Sequence, residues 1–219
     1  MILYITLTYT PRRRAQTSEK TELEQLMTND KSIDFYFDYA SPYAYLANHS
    51  VRKEFPSEKI TYKPIYLRGL EAFRVAMPFV PNKLTNMLVD LQRCADIQGL
   101  PFHIPSQLPI NGIYACRGAL FTLKQGGFEK YHQLMFSAAW ENNIDISSKD
   151  CVIDIAVSAG LDKEAFTTGI DSLKIKSALK EQTAIAEKAG LFGVPSFIVG
   201  GELFWGADRI EHVKRKLTA

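Results

Sequence analysis

Apolar and polar positions follow two different periods along this chain, and each period predicts its own kind of element. Continuous apolar runs rich in β-branched and aromatic residues occupy 32–38 and about 59–66, which is typical of buried strands. Between them, apolar positions over about 42–54 recur at the spacing of an amphipathic helix. A strand, a helix and a strand in this order predict a βαβ unit with parallel strands and a right-handed crossover.

Helical periodicity then continues from Gly69 to about Gly190. Apolar residues recur at helical spacing in three stretches, namely Leu84, Met87, Leu88 and Leu91, then Ile113, Cys116, Leu120 and Leu123, then Tyr131, Leu134, Met135 and Ala138. The breakers Gly99-Leu100-Pro101 and Gly126-Gly127 separate these helices. Ser147-Ser148 predicts the N-cap of a further helix, and we expect a long helix from about Asp171 to Ala189.

The pattern returns to strands after Gly190. The apolar segments Ser196-Phe197-Ile198-Val199 and Leu203-Phe204-Trp205 flank Gly200-Gly201, which predicts a two-residue hairpin turn. Asp208 is predicted to cap a final basic helix that runs through Lys216. The whole order predicts an α/β protein, a thioredoxin-like domain of residues 31–68 and 190–219 interrupted by a large all-helical insertion of residues 69–189.

Residues 1–30 stand apart from this pattern. They combine a short β-prone stretch, the basic cluster Arg12-Arg13-Arg14 and a polar segment that reaches Asp30. We expect a poorly ordered tail here. Met27 lies just ahead of the first strand and offers an alternative start of translation.

Composition limits the classes of function. The 219 residues are 46% hydrophobic, and 26 basic against 24 acidic residues give a formal charge of +2. This even balance of charge does not indicate a nucleic-acid-binding protein. It is compatible with an anionic small molecule as substrate. The chain contains no apolar run of the length of about 20 residues that spans a bilayer, and its first residues do not form a signal peptide. We therefore expect a cytoplasmic protein without a membrane partner.

The cysteines and histidines do not predict a disulfide framework or a metal site. Cys94, Cys116 and Cys151 are widely spaced and odd in number, which is typical of free thiols in a reducing compartment. The four histidines lack metal-ligand spacing. We expect no metal, and we expect each cysteine to act as a small buried apolar residue.

Two segments carry the candidate chemistry. Ser41-Pro42-Tyr43-Ala44 follows the first strand and opens a helix, and Gly193-Val194-Pro195-Ser196 precedes the third strand. In a thioredoxin fold these are the places of the C-x-x-C turn and the proline loop. Serine and alanine replace both cysteines here, so the turn cannot form a redox pair. The Ser41 hydroxyl and the N–H groups of the first helical turn remain able to hold an anion or a thiolate.

Three longer stretches resemble a known family. They are FYFDYASPYAYLAN (35–48), VDLQR (89–93) and GLFGVPSFIVGGELFWGADR (190–209), and they are similar to the 2-hydroxychromene-2-carboxylate isomerases and to their relatives, the kappa-class glutathione transferases. The resemblance extends over nearly all of 32–216. It implies a DSBA-like protein with glutathione as cofactor, and it suggests a homodimer.

The resemblance also implies roles for individual residues. Ser41 is the implied catalytic residue, which donates to the glutathione sulfur and keeps it as the thiolate. Val194-Pro195 matches a cis proline whose preceding backbone pairs with the extended cofactor peptide. The segment Trp205-Gly206-Ala207-Asp208 matches the part that holds the γ-glutamyl end, with Asp208 accepting from the ammonium group. The residue types alone fit a purely structural interpretation as well. In that interpretation Ser41 and Asp208 are N-caps, and Pro195 is an ordinary proline at the start of a strand.

The segment expected to bind the second substrate, which accepts the glutathione sulfur and is called the acceptor below, matches the family less well. Asn82-Lys83 is the nearest match to the asparagine and basic residue that relatives place over the acceptor, and Arg74 or Lys83 is a candidate partner for an aromatic acid's carboxylate. The Gly-Asn pair common in this loop is absent, and Val75 to Phe79 replaces it. The substrate therefore stays open.

The favoured function is a glutathione-dependent isomerase that acts in aromatic compound catabolism by reversible addition of the glutathione thiolate to an unsaturated substrate. The alternative is a kappa-class-like transferase or peroxidase that consumes glutathione through the same binding residues. A glutathione-binding module without turnover would follow if the divergent 74–83 loop is incompetent. A disulfide oxidoreductase is disfavoured because Ser41 and Ala44 replace the redox pair.

Overall fold

The computed structural model describes residues 32–55, 60–74 and 81–218, so the tail predicted for residues 1–30 lies outside the described residues. The strands are β1 (Ile33–Phe37), β2 (Ile60–Pro64), β3 (Ser196–Val199) and β4 (Glu202–Trp205). The α-helices are α1 (Pro42–Glu54), α2 (Glu71–Arg74), α3 (Pro81–Gln98), α4 (Ile113–Gln125), α5 (Phe128–Trp140), α6 (Lys149–Ser158), α7 (Lys163–Asp171), α8 (Leu173–Lys188) and α9 (Ile210–Thr218). Short 3-10 helices follow β2 (Leu67–Gly69) and β4 (Ala207–Arg209).

The four strands form one mixed sheet in the order β2-β1-β3-β4. β1 runs parallel to β2, with Phe35 opposite Tyr62. β3 runs antiparallel to β1, with Phe35 opposite Phe197, and β4 completes a hairpin in which Trp205 lies opposite Ser196. The strands fall within 31–68 and 190–219 and most helices within 69–189, which confirms the predicted α/β class with a helical insertion.

Local sequence signals set most helix ends. α1 begins after the N-cap Ser41 with Pro42 in its first position, where proline's missing N–H costs nothing. Gly126 and Gly127 both have positive φ and separate α4 from α5. Ser148 accepts a hydrogen bond from Cys151 N and caps α6 as predicted.

The long helix predicted from about Asp171 to Ala189 is confirmed, and it runs from Leu173 to Lys188 after the N-cap Ser172. The separate helix α7, which ends at Asp171, was not predicted. Contrary to the prediction, Asp208 does not cap the final helix. It lies inside the 3-10 helix Ala207–Arg209, whose N-cap is Gly206.

The sheet buries a different core on each face. Phe35 and Phe37 lie on the face covered by α1 and α5, together with the fully buried His132. Tyr36 lies on the other face, in a smaller cluster that contains Val194 and the buried residues Ile65, Leu70, Ala186 and Leu191. Val194, which belongs to the candidate proline loop, is thus packed in this second, smaller core.

The cysteines are free, with Cys116 buried and Cys94 and Cys151 half-buried, so two of the three are less buried than predicted. Within the described residues, groups of three or more His, Cys, Asp or Glu side chains that could hold a metal ion are absent. In the same part of the chain, every helix is too short or too polar to cross a bilayer.

Candidate functional site

Ser41 joins the two candidate segments physically. Its side chain accepts a hydrogen bond from Ala44 N at 3.2 Å, as an N-cap does, and donates one to the carbonyl oxygen of Val194 at 3.2 Å. Only 4% of Ser41 is exposed. The hydroxyl therefore lies where protein surrounds it, and a hydrogen bond there is stronger than in water.

Two backbone N–H groups near this hydroxyl have no hydrogen-bond partner among the residues that the structure describes. The peptide bond Val194-Pro195 is cis, as predicted. In the described part of the chain, the N–H groups of Tyr43 and Val194 both lack a hydrogen-bond partner. Tyr43 N–H lies in the first turn of α1, where the helix dipole favours negative charge. The turn and the proline loop therefore present donors that a bound peptide or thiolate could use.

The segment after β4 is held against the proline loop. Gly206 N donates to the carbonyl oxygen of Pro195 at 3.0 Å. Trp205 is half-exposed, and its ring centroid lies 4.8 Å from that of Phe192. A Cβ at Gly193 would lie 2.9 Å from the indole nitrogen of Trp205, so the loop needs glycine there to let this ring pack closely.

Asp208 lies on the α1 side of the site. Its 3-10 helix packs against α1, and its exposed carboxylate pairs with Arg209 at 3.2 Å. Burial raises the pKa of Tyr43, and the carboxylates of Asp90 and Asp208 raise it further. Burial likewise raises the pKa of the Cys94 thiol, with help from the same two carboxylates. Tyr43 and Cys94 therefore both lie within the electrostatic range of Asp90 and Asp208.

A buried aspartate supports the turn from beneath. Asp38 is 1% exposed, and its carboxylate accepts from Ala40 N at 2.9 Å and from Leu67 N at 2.8 Å. The thiol of Cys116 donates to the same carboxylate, at 3.4 Å. Burial raises the pKa of Asp38, and these hydrogen bonds partly oppose the rise. Asp38 thus ties the end of β1, the segment after β2 and helix α4 together.

Helix α4 can approach Asp38 only because it is preceded by glycine. A Cβ at Gly112 would lie 2.0 Å from Asp38 Oδ1 and 3.3 Å from Ala40 N. The helical insertion and the Ser41 turn are therefore in direct van der Waals contact at this point.

The residues predicted for the acceptor lie on other elements than the Ser41 turn and the proline loop. Arg74 ends α2, where its Nε donates to the carbonyl oxygen of Gly69 at 2.8 Å and its guanidinium pairs with Glu187 at 3.1 Å. Asn82 and Lys83 are exposed in the first turn of α3. Residues 75–80, the divergent part of the predicted loop, lie outside the described residues.

The structure thus brings the predicted cofactor residues together. Ser41, Val194, Pro195 and Gly206 are linked by hydrogen bonds, with Trp205, Ala207 and Asp208 in the same segment. Sequence reasoning gave no role to Asp38, although a carboxylate that ends an apolar strand was a visible signal.

Comparisons with known proteins confirm the resemblance. A family model described as a DSBA-like thioredoxin domain matches residues 32–218. The chain is 30% identical over 185 residues to a 2-hydroxychromene-2-carboxylate isomerase of Pseudomonas sp. (strain C18), which covers 81% of this chain and 86% of that protein. It is 22% identical over 201 residues to human glutathione S-transferase kappa 1, which covers 83% and 88%.

Solved structures agree with these matches. A 2-hydroxychromene-2-carboxylate isomerase superposes with a TM-score of 0.75 at 29% identity, covering 85% of this chain and 94% of that one. A probable DsbA oxidoreductase from Streptomyces coelicolor gives a TM-score of 0.70 at 16% identity, covering 85% and 88%. The second likeness shows the shared fold.

Proposed function

The chain belongs to the DSBA-like thioredoxin domain family, and on that basis we propose that it is a glutathione-dependent isomerase of the 2-hydroxychromene-2-carboxylate isomerase type. The relatives that carry this name support an isomerase. The proposal depends on one observation above all, the hydrogen bond from the Ser41 hydroxyl to the carbonyl oxygen of Val194.

This hydrogen bond pairs two groups that a bound peptide would separate. The carbonyl oxygen of Val194 is an acceptor on an extended loop, and the N–H of the same residue is unpaired within the described chain. An extended ligand that pairs with both groups, as an added strand does, takes over the carbonyl oxygen. The Ser41 hydroxyl is then released and can donate to a sulfur instead.

The position of Ser41 suits a thiolate. A hydroxyl donor, the N–H of Tyr43 and the N-terminus of α1 all favour negative charge at the same point. A hydrogen bond to a charged group contributes about 1.5–3 kcal/mol. That is enough to lower a thiol pKa by about one to two units and to raise the thiolate fraction at neutral pH.

The thiols of Cys116 and Cys94, which lie near this turn, do not supply a thiolate. Cys116 is buried, and burial together with the neighbouring Asp38 carboxylate raises the pKa of its thiol well above the usual value. Burial also raises the pKa of Cys94, so both thiols stay protonated at neutral pH. A thiolate at Ser41 must therefore arrive with a ligand, which fits a cofactor.

The remaining groups fit the γ-glutamyl end of glutathione. Asp208 is exposed and carries a carboxylate that can accept from the γ-glutamyl ammonium group, and Trp205 offers an apolar surface beside it. When bound, glutathione supplies the nucleophilic sulfur that adds reversibly to an unsaturated substrate. Ser41 and the first turn of α1 orient that sulfur and hold its charge, and Asn82 and Lys83 remain candidates for contacting the acceptor.

Incubation of the purified protein with glutathione and 2-hydroxychromene-2-carboxylate tests the proposal. We expect formation of the isomer with the glutathione concentration unchanged, and we expect the rate to fall when glutathione is omitted. Stoichiometric loss of glutathione would support the kappa-class transferase instead. Equal rates with and without glutathione would overturn the cofactor role.

A further inference from the structure

A cavity of about 550 Å³ lies between α4, α8 and the segment that follows β2. Its walls are apolar at Tyr66 and Leu179, and they carry the four cationic side chains of Arg74, Arg117, Lys176 and Lys180. Among the described residues that line it, acidic side chains are absent. A volume of this size is typical of a small-molecule site.

Two of the four cations have a carboxylate partner nearby. Arg74 pairs with Glu187 at 3.1 Å, and Lys176 pairs with Asp171 at 3.4 Å. These two pairs fix side chains at the rim and neutralise part of its charge. The positive charge that remains for a ligand is therefore concentrated on the other two cations.

Arg117 and Lys180 form no ion pair within the described part of the chain. The Nε of Arg117 is buried and has no hydrogen-bond partner among the described residues, and the centre of its guanidinium lies 5.5 Å from the Tyr114 ring centroid. A buried charged donor without an acceptor is costly. An anion in the cavity would supply the missing acceptor, and the exposed Lys180 would add a second contact.

Two segments that line this cavity are hydrogen-bonded to Asp38, the same residue that supports the Ser41 turn. Tyr66 precedes Leu67, whose N–H donates to Asp38, and Arg117 follows Cys116, whose thiol donates to the same carboxylate. Asp38 in turn accepts through its carbonyl oxygen from the N–H of Ser41 at 3.0 Å. The hydrogen bonds of Asp38 therefore connect the segment after β2 and helix α4, which both line the cavity, with the Ser41 turn.

We propose that this cavity binds the acceptor substrate as a compact organic anion, with its carboxylate on Arg117 and Lys180 and an apolar or aromatic body against Tyr66 and Leu179. The identification of the ligand as acceptor rests on the proposed function above. Arg74, predicted as an acceptor residue from the sequence, lines this cavity, but its pairing with Glu187 makes it a rim residue of the site.

Calorimetric titration with chromone-2-carboxylate, in the absence of glutathione, tests the binding. We expect saturable binding, and we expect neutral chromone to bind at least tenfold more weakly, because it lacks the charge. Lys180→Gln and Arg117→Gln should each weaken the carboxylate about tenfold or more. Lys174→Gln removes a cation from the same helix at an exposed position outside the lining and should change nothing.

Equal affinity of the two ligands, or unchanged affinity in both Lys180→Gln and Arg117→Gln, would overturn the proposal. Lys180 is exposed, so its variant stays informative even if the Arg117 variant fails to fold, and Arg117→Lys keeps the charge in that case. In turnover, Lys180→Gln should raise KM for the acceptor and leave KM for glutathione unchanged. An unchanged acceptor KM would show that the cavity is not the acceptor site.

The two proposals fail in different measurements. If the proposed function fails, the wild-type protein forms no isomer, while the calorimetric difference between carboxylate and chromone persists. If the cavity assignment fails, isomer formation persists and the cationic variants bind chromone-2-carboxylate like the wild type.

Discussion

The hydroxyl of Ser41 donates a hydrogen bond to the carbonyl oxygen of Val194, 153 positions away along the chain, at 3.2 Å. This contact joins the N-terminus of α1 to the proline loop, which are the two segments that the sequence singled out separately. In this fold a thiol would occupy the place of the Ser41 hydroxyl. The contact therefore marks the point at which an external sulfur is expected to bind.

Replacement of Ser41 by alanine removes the side-chain donor from this point. We expect Ser41→Ala to raise the pKa of the bound glutathione thiol by about one to two units, which corresponds to the loss of about 1.5–3 kcal/mol of thiolate stabilisation. Titration of the thiolate absorbance of the complex measures it directly.

Ser50→Ala is the matched control for that experiment. Ser50 lies on the same helix, and its hydroxyl donates to the carbonyl oxygen of Leu46 at 3.4 Å, so its loss should leave the thiol pKa unchanged. If the Ser41 variant gives the same thiol pKa as this control, the proposed role of Ser41 is wrong.

Asp208 offers a test of the other end of the cofactor. Its side chain is 71% exposed and pairs with Arg209 on the surface, so Asp208→Asn should leave the unfolding free energy nearly unchanged. Because the variant removes the carboxylate that we propose as the acceptor for the γ-glutamyl ammonium group, we expect glutathione affinity to fall about tenfold. Calorimetric titration with glutathione decides it, and an affinity equal to that of an exposed control such as Asp154→Asn would refute the role.

Alanine variants of Gly112 and Gly118 distinguish an effect on glutathione binding from an effect on stability. Gly112→Ala would place a methyl group 2.0 Å from Asp38 Oδ1, and Gly118→Ala would place one 2.1 Å from the hydroxyl of Tyr131. Both variants should lose about 1–3 kcal/mol of stability, because both overpack a buried contact. Only Gly112→Ala should also weaken glutathione binding, since Asp38 supports the Ser41 turn.

Urea unfolding and glutathione titration of these two glycine variants give the comparison. Equal glutathione affinity in the two variants, at equal stability, would mean that Asp38 does not position the turn.

The buried imidazole of His132 should make the stability of the fold depend on pH. It is fully buried, with Nδ1 2.8 Å from the Tyr39 hydroxyl and Nε2 2.9 Å from Asn48 Oδ1. Burial, together with the nearby Arg52 charge, lowers its pKa well below 6.5. The folded protein therefore keeps this imidazole neutral at a pH where the unfolded chain has protonated it.

The stability contributed by neutral His132 is complete above about pH 6.5 and is lost as the pH falls below that value. The loss should reach about 1.4 kcal/mol per pH unit, because the two states differ by one proton. Urea unfolding between neutral and mildly acid pH measures this slope. His132→Gln should reduce the slope, and an unchanged slope in the His132 variant would contradict the assignment.

Much of the fold was predictable because its signals are local. Ser41 before Pro42 predicted the start of α1, and Gly126-Gly127 predicted the break between α4 and α5. The hairpin around Gly200-Gly201 followed from the same kind of evidence, since short turns depend on residues that tolerate positive φ.

The errors arose where two signals compete within a few residues. Ser172 lies inside a continuous helical period, and its capping bond to Ile175 N ends one helix and begins another. Asp208 has the chemistry of an N-cap, but Gly206, with φ of 120°, starts the turn two residues earlier. Periodicity alone does not show which of two nearby residues is the N-cap of a helix.

The sequence by itself determined the order of the strands and of most helices, the absence of a cysteine pair in the turn, and the residue types that a thiolate and a peptide backbone require. These features are properties of neighbouring residues. Only the tertiary structure decided that Ser41 bonds Val194, that Asp38 supports the turn from beneath, and that Arg117 and Lys180 share a cavity with Arg74. Those contacts join segments far apart along the chain, and their distances are set by packing of the sheet against α4 and α8, which residue spacing does not encode.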